Sequence, residues 1–366
     1  MNSSADYQFM ARALQLAEKG LYSTDPNPRV GCVLVKDNRI VGEGWHEFAG
    51  GPHAEINALA QAGSEAKGAT AYVSLEPCCH YGRTPPCTNA LIEAGIKRVV
   101  AAMEDPNPTV GGDGLKQLSA AGISVQSGIL QHQAEALNPG FVNRMRHQRP
   151  FVRCKLAMSV DGRTAMASGE SQWITGEDAR LDVQRLRARS SAIMTGIGTV
   201  LLDDPLMTVR LIDPLSANRQ PLRVIVDSHL RMPSQARLLA QPGRTLIVTS
   251  GVNAHNNASI ETGSIDVIAL DPGDGGVDLK AALSYLADRA VNEVLLEAGA
   301  TLSGAMLRAG LIDELVLYMA PVLLGDGARG LFKLPGLDKM EQRLGLEIED
   351  LRAVGQDWRI TAKVKY

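Results

Sequence analysis

Nowhere does this 366-residue chain approach the ~20 consecutive apolar residues that cross a bilayer, so no membrane-spanning segment is expected. The first twenty residues have no basic start, no continuous apolar stretch and no small-residue cleavage site, so no secretory leader is expected either. Charge of one sign is also missing. A net charge of −3 supplies no overall basic field for nucleic acid or anionic lipid. The cysteines Cys32, Cys78, Cys79, Cys87 and Cys154 are few and odd in number, which speaks against a disulfide framework. Buried thiols plus a metal site in a reducing compartment are expected, with the cytoplasm as the location. No repeat is long enough to make a solenoid. What is present is an ordinary globular composition, 45% apolar and 21% charged, with length for about two domains.

The first half predicts helices alternating with short strands. Met10, Ala13, Leu14 and Ala17 share a helical face that ends at Gly20. Strand-like runs at 30–35 and 39–44 flank Asp37-Asn38, a hairpin signal. A helix is predicted from His53 to Gly63, strands at 71–75 and 98–102, and a helix at 90–94. Asn138-Pro139-Gly140 and the basic stretch 144–150 break this pattern, which sets the expected boundary between domains at 1–147 and 148–366. The second half repeats the alternation. Strands are predicted at 151–158, 192–195, 222–226, 245–249, 267–270, 293–296, 315–324 and 359–364, with helices at 177–189, 279–289 and 302–309. Both halves read as α/β.

His53-Ala54-Glu55, Pro77-Cys78 and Cys87 carry the chemistry of the first half. One His and two Cys are zinc ligands that leave a fourth tetrahedral position open, the catalytic arrangement. Glu55, two residues from His53, is a carboxylate free to move protons beside the metal. Such a set suits hydrolytic removal of an amino group from an aromatic ring. A structural zinc would need a fourth ligand, for which Cys79 and His80 are the candidates.

These residues resemble the zinc-dependent nucleobase and nucleoside deaminases. The eight residues between Cys78 and Cys87, with Gly82-Arg83-Thr84-Pro85-Pro86, are similar to the deaminase of riboflavin biosynthesis. Asn27-Pro28, Val41-Gly42-Glu43-Gly44 and Asp105-Pro106-Asn107-Pro108 extend the resemblance. Cys79 departs from it, since that family commonly has Ser there. The resemblance implies a cytidine-deaminase-like α/β/α sandwich, with Asn27 and His46 at the pyrimidine or ribose and His80 and Arg83 at the phosphate end.

In the second half, Gly196-Ile197-Gly198 follows a strand, but a dinucleotide fingerprint would want Gly or Ala where Leu201 stands. Glu297-Ala298-Gly299 is a second strand-to-helix turn, whose small residues would let a phosphate approach a helix start. The runs from Lys155 to Arg163, Gln172 to Thr175, Gly198 to Pro205 and Ala320 to Gly325 resemble the pyrimidine reductase of the same pathway. That family is similar in fold to dihydrofolate reductase and uses NADPH. The resemblance implies that Ala157, Trp173, Thr199, Asp203 and the turn Gly299, Ala300, Thr301, Leu302, Ser303, Gly304 and Ala305 hold NADPH. It implies that Ser171, Arg187, Met207, Arg210 and Glu297 hold the phosphoribosyl substrate. Lys155 and Asp161 are candidates for polar groups near the sugar carbon that accepts hydride.

The whole chain thus resembles the bifunctional deaminase/reductase family of riboflavin biosynthesis. Zinc and NADPH are the expected cofactors, small phosphoribosylaminopyrimidines the substrates, and a homo-oligomer the assembly, without nucleic-acid or membrane partners. Two alternatives stand beside this: a deaminase of another nucleobase or of nucleic acid, and a zinc-stabilised module without turnover.

Overall fold

The computed structural model describes residues 4–81, 85–211, 219–251, 264–273 and 275–366, so Arg83 lies outside the described residues. The chain divides into two units, Met1–Gln148 and Arg149–Tyr366, each built on its own sheet.

In the first unit α1 (Ser4–Glu18) turns Met10, Ala13, Leu14 and Ala17 inward, as their spacing requires. β1 (Gly31–Lys36) and β2 (Arg39–Trp45) form an antiparallel hairpin. Its corner residues Asp37 and Asn38 both take positive φ, which short polar side chains tolerate best after glycine. Then come α2 (Ala54–Ala62), β3 (Thr70–Val73), α3 (Cys87–Glu93), β4 (Arg98–Ala101), α4 (Asp113–Ala120) and β5 (Ser124–Ser127). The strand order is β2-β1-β3-β4-β5, with β3, β4 and β5 parallel. α5 (Gln131–Leu137) and α6 (Pro139–His147) close the unit.

The expected break at Asn138-Pro139-Gly140 is instead a helix start. Pro139 opens α6, where the N–H it lacks would have had no helical partner. The basic residues Arg144, Arg146 and His147 form that helix's last turn, at its negative end. Met10, Leu16, Val33, Val100 and Val142 pack on one face of the sheet, and Cys32, Leu34, Ala54, Ala58, Leu91 and Leu118 on the other. Helices therefore cover both faces, an α/β/α sandwich. A close backbone approach sets the seat of α2: a Cβ on Gly44 would stand 2.4 Å from the Ala54 carbonyl oxygen. Glycine there lets the first turn of α2 lie against β2.

The second unit opens with β6 (Phe151–Ser159) and β7 (Arg163–Ala165). α7 (Glu177–Arg189), β8 (Ala192–Gly196), α8 (Ile197–Asp203), β9 (Leu222–Val226), β10 (Thr245–Ser250) and β11 (Ile265–Leu270) follow. Then come β12 (Pro272–Gly273), β13 (Gly276–Val277), α9 (Leu279–Asp288), β14 (Glu293–Leu296), α10 (Ala300–Arg308), β15 (Glu314–Ala320) and β16 (Arg329–Gly330). β17 (Gly345–Val354) and β18 (Asp357–Lys365) end the chain. The main sheet runs β11-β10-β9-β8-β14-β6-β15-β18-β17, parallel as far as β15 and antiparallel beyond. α9 and α10 bury Leu283, Leu286, Met306 and Leu307 against one face. α7 packs on the other through Val183 and Leu186. β17 was not expected from the sequence. It is a mostly exposed edge strand, and its short alternation Leu346-Glu347-Ile348-Glu349 is broken by an irregularity between Ile348 and Asp350, which left it unread.

Candidate active sites

His53 is the residue before α2, in extended conformation, and Glu55 lies in that helix's first turn. Cys78 follows β3 by five residues, and Cys87 is the first residue of α3, which starts three residues earlier than the helix predicted at 90–94. The two cysteines are tied locally: the Cys87 N–H donates to Cys78 Sγ at 3.3 Å, and the Thr88 N–H to the Cys78 carbonyl at 3.2 Å. His53 Nδ1 lies 3.2 Å from Cys87 Sγ and 3.6 Å from Cys78 Sγ. Ligand atoms of His53, Cys78 and Cys87 fall within 4.8 Å of one another, and among the described residues neither Cys79 nor His80 joins them.

The electrostatics suit a cation. The hydrogen bond with Cys87, and after it the one with His53, holds Cys78 well below the ordinary thiol range. The same bond, followed by burial, pushes Cys87 up. The pair shares one proton, which a divalent cation against it would release. Donor set, spacing and charge therefore fit zinc with one position left open. Glu55 is buried, and desolvation first, then the Cys78 thiolate, pushes its carboxyl up to about 7. That places its proton exchange near neutrality.

A cavity of about 560 Å³ opens on this group. Asn27, His46 and His80 line it together with His53, Glu55 and Cys78. His46 is buried and held at both ring nitrogens. Nδ1 lies 2.9 Å from the Pro52 carbonyl, and Nε2 lies 3.0 Å from Asn27 Nδ2. Nδ1 is therefore the donor and Nε2 accepts from the amide. Burial lowers the pKa of His46, in keeping with a neutral ring. The opposite wall was missed by sequence reasoning. Glu76 is buried, and its Oε2 accepts the N–H groups of Asp105 at 2.9 Å and Gly112 at 2.8 Å, while Oε1 accepts that of Leu115 at 3.1 Å. These bonds bring Asp105 and Asn107 to the cavity. The available signal was a carboxylate placed in a buried strand end.

In the second unit the ends of β8 and β14 lie side by side. Glu297 follows β14, and Gly299 is the uncapped residue before α10, with open space where a Cβ would stand. A phosphate-bearing cofactor fits there, since the first N–H groups of α10 have no side-chain cap. Thr199 and Asp203 stand on the neighbouring α8, and Gly196 at its start faces Leu302 of α10. Ala157 lies on β6. Trp173 is exposed, with the Arg180 guanidinium 4.8 Å from its ring centre. Within the turn, Ser303 is buried and donates to the Ala298 carbonyl. Gly304 is packed so closely that a Cβ would stand 2.4 Å from the Lys333 carbonyl oxygen. These two face the protein, unlike Gly299.

Arg187 donates to Glu297 through Nε at 2.6 Å and Nη2 at 2.9 Å, a bidentate pair. Burial opposes the Glu297 charge, but Arg187, then Lys155 and Arg210, hold its carboxyl below the ordinary range. Burial lowers the Lys155 ammonium, with Glu297 opposing. Lys155, Arg187, Arg210 and Glu297 therefore form one electrostatic cluster. Asp161 stands in a different setting. It accepts the Ser159 hydroxyl and the N–H groups of Leu324 and Gly325, the last at 2.8 Å, and so pins two loops together.

The amino-terminal unit matches the cytidine and deoxycytidylate deaminase zinc-binding region over residues 3–103, and residues 150–360 match the RibD C-terminal domain. The riboflavin biosynthesis protein RibD of Escherichia coli K12 is 50% identical, over 96% of this chain and 97% of its own. The chain belongs to the RibD family. The RibD of Haemophilus influenzae is 51% identical, over 98% of this chain and 97% of its own. Among solved structures, Acinetobacter baumannii RibD superposes with a TM-score of 0.90 at 46% identity, covering 99% of each chain. A diaminohydroxyphosphoribosylaminopyrimidine deaminase/5-amino-6-(5-phosphoribosylamino)uracil reductase of Thermotoga maritima superposes with a TM-score of 0.86 at 33% identity, covering 98% of each. This RibD-family chain is a bifunctional enzyme of riboflavin biosynthesis, a zinc deaminase followed by an NADPH-dependent reductase. No helix among the described residues is long and apolar enough to cross a membrane.

Proposed function

We propose that residues 1–147 deaminate 2,5-diamino-6-(5-phosphoribosylamino)pyrimidin-4(3H)-one and that residues 148–366 reduce the ribosyl group of the resulting 5-amino-6-(5-phosphoribosylamino)uracil to ribityl. The observation that carries this reading is the buried Glu55 beside a His53, Cys78 and Cys87 ligand set, with Glu55, His53 and Cys78 lining one cavity. His53, Cys78 and Cys87 hold zinc, which when bound acts as a Lewis acid that makes water nucleophilic near neutral pH. Glu55 takes one proton from the attacking water and gives it to the ring nitrogen, then takes the second from the new hydroxyl and gives it to the departing amine, so that ammonia leaves and a carbonyl remains. Asn27 and the neutral His46 orient the pyrimidine and ribose, while His80 and Arg83 serve the phosphate end.

In the reductase the α10 start (Gly299, Ala300, Thr301 and Leu302, braced by Ser303, Gly304 and Ala305), with Ala157, Trp173, Thr199 and Asp203, holds NADPH, the hydride source. Lys155 is the polar group assigned to the neighbourhood of the sugar carbon, and Glu297 beside it holds the phosphoribosyl substrate. Ser171, Met207, Arg187 and Arg210 receive the phosphoribosyl group, with Arg210 as the outward charge. Asp161 shapes the loop beside them.

We place the enzyme in the cytoplasm as a homo-oligomer. For the assembly, the support is the edge strand β17, which ends the sheet with Ile348 61% and Leu351 56% exposed. The deciding experiment incubates the protein with the diaminopyrimidine substrate, with and without NADPH, following ammonia release and the nicotinamide absorbance. Ammonia in both cases and oxidation with NADPH are expected. Absence of NADPH oxidation would confine the function to the first half.

A further inference from the structure

Residues 207–210, between α8 and β9, form no helix or strand, so their peptide groups must find partners elsewhere. Side chains supply them. Gln184 Oε1 accepts the Arg210 N–H at 2.9 Å. Gln220 Oε1 accepts the Val209 N–H at 2.9 Å, and Gln220 Nε2 donates to the Val209 carbonyl at 3.1 Å. Arg187 Nη1 donates to the Thr208 carbonyl at 3.0 Å. Gln184 and Arg187 are three residues apart on α7, hence on one face, so a single helix grips the segment at two peptide groups. Met207 turns the chain with a φ of 50° and buries its side chain among Ile193, Ile225 and Leu238. Finally, Thr208 Oγ1 accepts from Arg210 Nη1 at 3.2 Å.

We propose that Gln184 and Thr208 are positioning residues of the reductase, which hold the Arg210 guanidinium ready for the substrate phosphate. Gln184 acts through the main chain and Thr208 through the guanidinium itself. Both are buried, whereas Arg210 is exposed. The need for a brace is electrostatic. Partial burial and then the neighbouring Arg187 charge disfavour the Arg210 cation where it stands, with Glu297 opposing, so an unrestrained side chain would swing further into solvent. Arg187 is already paired with Glu297, which leaves Arg210 as the charge available to an incoming anion. A side chain fixed before binding loses less rotamer freedom when the phosphate arrives.

This inference rests on the reading of Arg210 as the phosphate partner. Its test therefore compares Thr208→Val, Gln184→Ala and Arg210→Ala on 5-amino-6-(5-phosphoribosylamino)uracil and on its dephosphorylated counterpart, following NADPH oxidation. Thr208→Val, which removes a hydrogen bond at the guanidinium, and Gln184→Ala, which releases the Arg210 main-chain N–H, are each expected to raise KM for the phosphorylated compound about tenfold. For both variants kcat and the KM of the dephosphorylated compound should stay within about twofold, and Thr208→Ser should restore the wild-type KM. Wild-type kcat on the dephosphorylated compound checks that the reductase unit is folded. Equal loss on both compounds, or a fall in kcat alone, would make the two residues merely structural and overturn the proposal. Arg210→Ala losing the preference for phosphate while the other two variants keep it overturns the brace but spares Arg210. Arg210→Ala keeping that preference overturns both.

Discussion

Replacing Glu55 by glutamine keeps the shape of the side chain and removes its capacity to carry a proton. Its burial implies two opposite effects. The first is on turnover: general acid–base catalysis contributes about 10² to 10⁴ in rate, so ammonia release should fall by that factor while zinc stays bound. The second is on stability. Desolvation raises the carboxyl from 4.5 to about 7, so the folded state binds this proton more tightly than the unfolded chain. The contribution is fully present below pH ~4.5 and is lost as pH rises through ~7, where it amounts to about 3 kcal/mol. Glutamine has no charge to desolvate. The metal-free Glu55→Gln protein should therefore be more stable than wild type at pH 8 by up to about 3 kcal/mol, with little difference at pH 4.5. Zinc content by atomic absorption, ammonia by a coupled assay and urea unfolding at the two pH values test the three parts. A zinc-replete variant retaining more than about a tenth of wild-type ammonia release would refute the assignment of the proton carrier.

Other perturbations separate the two halves. Removing zinc with a chelator should abolish ammonia release yet leave NADPH oxidation with the uracil substrate intact, because the ligands all belong to the first unit. Arg187→Ala should destabilise the protein by about 1–3 kcal/mol in urea unfolding, because it leaves the half-buried Glu297 carboxylate without its bidentate partner. The same variant should lose NADPH oxidation while retaining zinc. Gly44→Ala forces a methyl to 2.4 Å from the Ala54 carbonyl oxygen and must shift the first turn of α2. A loss of about 1–3 kcal/mol is expected, with weaker zinc retention on dialysis.

What could be read in advance was local. The helical face Met10, Ala13, Leu14 and Ala17, the turn at Asp37-Asn38 and the small-residue turn at Gly299 each announce themselves within a few residues. The zinc ligands were legible for another reason: few other roles ask for His, Glu and two Cys at such spacings. The unread parts are those where distant residues meet. Gln184 and Arg210 are 26 residues apart, and Arg187 and Glu297 are 110 apart. Glu76 was masked by its neighbours Pro77 and Cys78, although it secures a whole wall of the cavity. Pro139 was misread because proline stops a helix in its interior but starts one at its first position. β17 escaped because neither of its faces is buried against its own unit.

The end of β14 has a consequence for how the reductase is tuned. Glu297, which we assign to the substrate, and Gly299, which we assign to the cofactor phosphate, are two residues apart. Two residues of extended chain span at most about 7 Å, so one short covalent tether links the placement of these two residues. A shift of the strand end therefore carries both residues together. The same tether limits redesign: a substitution that re-angles the cofactor will drag the substrate carboxylate with it.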